Sequence, residues 1–110
     1  MLKVKTRDGN EYCFKFYHGE KTVKEIWDLF DIRIQACPDS VRMCTVVDVS
    51  TDGNMFFPGG ISVCAPGDKF SKKIGRKMAM TDCLRWYTSG CELDKSDRKQ
   101  IWEQYFREMK

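Results

Sequence analysis

The sequence predicts an α+β domain, a small antiparallel sheet packed by helices. Three observations lead there. Period-two apolar alternation recurs in pairs of segments joined by Gly-Asn turns. A capping box opens a short amphipathic stretch between those pairs. Two longer stretches with helical spacing close the chain. The order ββα, then ββ or βββ, then αα segregates strands from helices and fits one domain of 110 residues.

The first strand is read from Leu2, Val4 and Thr6 alternating with Lys3, Lys5 and Arg7. Asp8-Gly9-Asn10 turns the chain, since Gly and Asn accept positive φ. The return strand is Tyr12 to Tyr17, with Tyr12, Phe14 and Phe16 on one face. In Thr22-Val23-Lys24-Glu25 the threonine hydroxyl is expected to accept from the Glu25 amide while the glutamate reaches back to the Thr22 amide. A helix from about Val23 to Phe30 follows, with Val23, Ile26, Trp27 and Phe30 at helical spacing. Asp31 to Ser40 is a connection, broken by Pro38.

Val41 to Val49 is the longest β-favouring run. Thr51-Asp52-Gly53-Asn54 is a second turn, and Met55-Phe56-Phe57 runs into Pro58-Gly59-Gly60, read as a kink or further turn before a strand from Ile61 to Cys64. A helix is expected from about Lys69 to Tyr87, with Asp68 or Ser71 as N-cap and Gly90 as stop. The last helix has Asp94 or Ser96 as cap and an apolar stripe of Ile101, Trp102, Tyr105, Phe106 and Met109.

Composition narrows the class. Hydrophobic content of 42% and aromatic content of 13% belong to a folded chain. No signal-peptide run or stretch of roughly 18 apolar residues appears, so a cytoplasmic protein without a membrane partner is expected. Six cysteines without a Cys-x-x-Cys pair, beside the single His18, read as reduced thiols, most of them small core residues, and no cofactor or metal is expected. His18 has no orienting partner in the sequence and no phosphate-binding loop is present, so the expectation is a protein without enzymatic activity.

The net charge of +3 matters less than its clustering. Lys69, Lys72, Lys73, Arg76 and Lys77 open the first long helix with no acid among them. Lys69, Lys72, Lys73 and Arg76 fall at i, i+3, i+4 and i+7 and share a face, which Ala79, Met80, Cys83 and Tyr87 continue as an apolar stripe. Gly75, Ala79 and Cys83, spaced by four, would let the helix backbone come close to the sheet. Lysines on an exposed face are ordinarily just solvated. These stand at the positive end of a helix, where acids are preferred and anions bind. Lys69, Phe70, Lys72, Lys73, Arg76 and Lys77 are therefore the candidate binding residues, with Phe70 and Trp86 as rings for stacking on a base. Arg76 has a competing internal reading, as a tie to Asp68 or to sheet carbonyls.

The segment Cys64-x-Pro66-x-Asp68-x-Phe70-x-x-x-x-Gly75-Arg76-x-x-Ala79, followed by Cys83-Leu84, resembles a strand-to-helix pattern in small bacteriophage and prophage accessory proteins. Some proteins of that kind inhibit bacterial defence, as anti-CRISPR proteins or as sponges for nucleotide signals. The resemblance spans about 25 residues and implies a non-catalytic inhibitor that binds a bacterial defence effector in the host cytoplasm. The alternative is a sponge or binder of an anionic ligand, a cyclic nucleotide or nucleic acid, held at the basic helix start. The target and the oligomeric state are not written in the sequence.

Overall fold

A computed structural model of the chain describes residues 1–7, 9–31, 34–51, 53–89 and 95–109, the side chains of 86–89 excepted. The elements are β1 (Leu2–Lys5), β2 (Glu11–Thr22), α1 (Val23–Phe30), β3 (Val41–Ser50), β4 (Phe57–Val63), α2 (Lys72–Ser89) and α3 (Lys95–Glu108). The sheet runs β1-β2-β3-β4, each strand antiparallel to its neighbour in sequence. The α+β class read from the sequence is the class observed.

Alternation decides which side of the sheet each residue serves. Phe14 pairs with Val49 and Phe16 with Val47, and these side chains meet α2 and α3. Ala79, Met80, Cys83 and Leu84 of α2 and Ile101 and Tyr105 of α3 complete that core. The opposite face carries a smaller cluster, in which Ile26 of α1 packs on Cys44, Val46 and Ile61.

The local signals held where capping chemistry dictated them. Glu25 N donates to Thr22 Oγ1 at 3.2 Å, and Thr22 N donates to a Glu25 carboxylate oxygen at 3.2 Å. The bond from Thr22 N, and after it the one Thr22 Oγ1 donates to the same carboxylate oxygen at 3.1 Å, hold the Glu25 carboxyl below its usual range. Asp31 ends the helix in the left-handed region, at φ 51°.

Three boundaries differ from expectation. β2 does not end at Tyr17 but continues to Thr22, because Val41–Ser50 is long enough to pair with all of it. Pro58-Gly59-Gly60 is not a kink between two strands. It lies inside β4, which runs unbroken from Phe57 to Val63 with a register shift opposite Val47 and Asp48. The edge position makes Pro58 tolerable and the bulge absorbs the extra residue. α2 starts at Lys72 rather than Lys69. Gly67 takes φ 86° in a turn closed by Asp68 N to Ala65 O at 3.1 Å, and Ser71, not Asp68, caps the helix through Ile74 N to Ser71 Oγ at 3.3 Å. Ser96 is inside α3 and does not cap it. The expectations placed on Gly90, Asp94 and the Trp86 and Tyr87 side chains, and the Asp8 and Asp52 turn positions, lie outside the described residues.

α2 is held against the sheet backbone to backbone. A Cβ on Gly60 would run into the Ala79 carbonyl oxygen and stand 2.6 Å from Cys83 N, while one on Gly59 would be 2.8 Å from Cys83 Sγ. A Cβ on Gly75 would run into Thr45 Oγ1. The stripe Gly75, Ala79, Cys83 thus fulfils the close approach its spacing predicts. The same helix covers the free edge of β4, where Ile61 N donates to Asp82 Oδ2 at 3.1 Å. Among the described residues no helix is long and apolar enough to cross a membrane.

Candidate functional site

The start of α2 overhangs the sheet beside the end of β2. Because β2 continues past Tyr17, His18 joins Phe14 and Phe16 on the helix-facing side. His18 Nδ1 lies 2.9 Å from Thr45 Oγ1, its cross-strand partner. The His18 ring meets Phe70 edge-on, with centroids 5.7 Å apart. Burial first, then the charges of Arg76 and Lys72, pushes the His18 pKa below its ordinary 6.5.

The structure separates the six predicted binding residues into two groups. Phe70 and Arg76 are half-buried and face inward. The Phe70 ring lies against His18 and beside the Gly75 position. Arg76 lies beside the Tyr105 hydroxyl of α3, whose pKa burial raises and the Arg76 charge partly restores, while its buried Nε has no hydrogen-bond partner. The group it meets is thus Tyr105 rather than the Asp68 or sheet carbonyl the sequence offered. Lys69, Lys72, Lys73 and Lys77 are exposed. Lys69 precedes the helix and does not share the helical face of Lys72 and Arg76. Lys77 Nζ stands 5.9 Å from the centroid of the Phe106 ring, linking the cationic edge of α2 to α3.

Beside those lysines lies an apolar groove absent from the sequence reading. The 62–71 connection passes along the outer side of α2 and leaves a cavity of about 500 Å³, lined by Val63, Ala65, Lys69, Phe70, Ile74 and Met78. Ile74 is 60% exposed and Met78 55% exposed. The signal for it in the sequence is their spacing of four, one residue ahead of Gly75 and Ala79, which sets them on the flank of the small-residue stripe. The strand read from the sequence stops at Tyr17, one residue short of His18. Carrying the Tyr12, Phe14, Phe16 alternation one step further places His18 on the helix face.

Three of the five described thiols belong to the core, while Cys64 lines the groove and Cys37 is exposed. Cys13, Cys44 and Cys83 are buried, and all five described cysteines are free. Burial, with Asp82 adding to it, pushes the Cys83 thiol up to about 12, which keeps it protonated and inert. Among the described residues no three His, Cys, Asp or Glu side chains are grouped to hold a metal ion.

The His18 environment gives a direct test by NMR titration. Its folded-state midpoint should lie below 6.5, because burial and two cations oppose the imidazolium. The unfolded chain then binds the proton more readily than the folded one, so this contribution to stability is present above pH 6.5 and lost as pH falls towards the folded midpoint. A midpoint at or above 6.5 would show that His18 does not face Arg76 and Lys72 as described.

Comparison of the chain with protein-family models, with curated proteins and with solved structures gives no match in any of the three.

Proposed function

We propose that the chain is a non-catalytic binding protein that docks an acidic surface of a partner protein on the groove beside α2. The observation that carries this reading is the exposure of Ile74 and Met78 on a helix whose neighbouring face is fixed to the sheet main chain to main chain. Large apolar side chains left in water on a rigid element form a ready contact patch. Lys69 on the groove and Lys73 and Lys77 on the adjoining face outnumber the acid that lines it, Asp68, and that excess steers an acidic partner towards it.

The class of partner comes from the sequence pattern around Cys64 to Ala79 alone. It makes the chain a bacteriophage accessory protein and the partner a bacterial defence effector, blocked by occupancy in the host cytoplasm. The alternative, an anionic ligand stacked on an aromatic ring at the helix start, has less support from the geometry. Of the two rings it could use, Phe70 is already packed between His18 and Gly75, and the Trp86 side chain lies outside the described residues.

The test is to replace Lys69, Lys73 and Lys77 together with Glu and to measure affinity for the effector that the wild-type chain retains. Charges around an apolar contact set association rate and salt response, so a loss of about tenfold or more is expected, with thermal stability unchanged. Undiminished affinity overturns the assignment. Titration with oligonucleotides and cyclic nucleotides separates the alternative, which requires binding that weakens steeply as salt rises.

A further inference from the structure

Gly19 has no local structural cause. It lies within the unbroken ladder of β2 and β3, opposite Cys44, and is not among the glycines with positive φ, which are Gly9, Gly53 and Gly67. A Cβ added to it would meet nothing within 4 Å. A strand-interior glycine ordinarily weakens the strand, and it often marks a place where another group comes close to the backbone.

The consequence of the missing side chain is an open floor. Gly19 lines a cavity of about 360 Å³ between α1 and the sheet, walled by Tyr17, Leu29, Phe30, Val46 and Pro58. α1 leaves this face largely uncovered. Its 8 residues span only about 12 Å, whereas the 12 residues of β2 run for about 40 Å. At the far end the chain returns, with Lys15 Nζ 4.1 Å above the Phe56 ring. Between these two covers Tyr17 remains 51% exposed, two residues from Gly19 on the same face.

The charges here differ from those on α2. Lys21 and Asp48 line the cavity, and Lys15 stands opposite Asp48 across the strands. Charges of both signs surround an apolar centre. A surface that meets its own copy about a twofold axis must be self-complementary, and a mixed rim allows that where a single sign forbids it. The lysines around Ile74 and Met78 would repel their own copy.

We propose that this open sheet face is a self-association surface, on which two copies of the chain meet about a twofold axis with the Tyr17 ring of each seated over Gly19 of the other. An aromatic ring laid on a strand glycine covers backbone that the glycine leaves bare. The proposal is independent of the α2 docking reading, which uses the opposite side of the domain.

Sedimentation of the purified chain from micromolar to submillimolar concentration tests it. The wild-type chain should form dimers. Gly19→Val should raise the dimer Kd by about tenfold or more, the scale of losing one anchored side chain, and should melt no lower than wild type because its side chain enters open space. Tyr17→Asp should also give monomers. The Lys69, Lys73, Lys77 to Glu variant should dimerise as wild type does. A wild-type chain that stays monomeric at every concentration overturns the proposal, whatever else that face binds. So does a Gly19→Val chain that dimerises unchanged.

Discussion

Gly60→Ala should remove about 3 kcal/mol of stability, the upper end of what one extra core methyl costs. The new Cβ would press on the Ala79 carbonyl oxygen and on Cys83 N at once. Both are main-chain atoms of α2, so no side chain can swing aside and the helix itself must lift. Lifting it also loosens Ala79 and Cys83, both fully buried. Urea denaturation should show a lowered midpoint with an unchanged slope. A midpoint equal to wild type would mean that α2 does not ride on β4 backbone to backbone.

Arg76→Ala should destabilise the fold by about 2 kcal/mol, since truncation strips the packing of a long half-buried side chain between α2 and α3. Its guanidinium lies beside the Tyr105 hydroxyl, and Tyr105 is 3% exposed in the core that α3 shares with the sheet. The substitution also removes one of the two cations facing His18, so the His18 midpoint should rise towards 6.5. Arg76→Lys should keep that midpoint low while restoring only part of the stability, since an ammonium lacks the planar fork. A variant that folds as firmly as wild type but loses its partner would instead make Arg76 a contact residue.

These two residues also mark what could be read without a structure. α1 was legible to the residue because its causes are local: a threonine, a glutamate three positions later, and an apolar stripe. Pro58-Gly59-Gly60 was not, because glycine ordinarily signals a turn, and here it answers to a helix arriving some twenty residues later. Arg76 was recognised as ambiguous, yet its partner Tyr105 lies on a different helix and no spacing rule connects them. The exposed lysines were legible as a cluster. The groove beside them was not, because it depends on the path of the 62–71 connection.

The strand order has a consequence for how the chain reaches this state. Three hairpin-like pairings join neighbours in sequence, so the sheet can assemble from short-range contacts, the kind that form quickly. α3 is the exception. It packs on β1, and Arg7 N donates to Gln100 Oε1 across 93 positions, so this contact closes a loop almost as long as the chain. Leu2 and Val4 share their core with Ile101 and Tyr105 and stay uncovered on that side until the loop closes. Amide exchange at Leu2 and Val4 should therefore follow the undocking of α3 and precede exchange in the β2–β3 ladder; simultaneous exchange would show that the helix and the sheet open as one unit.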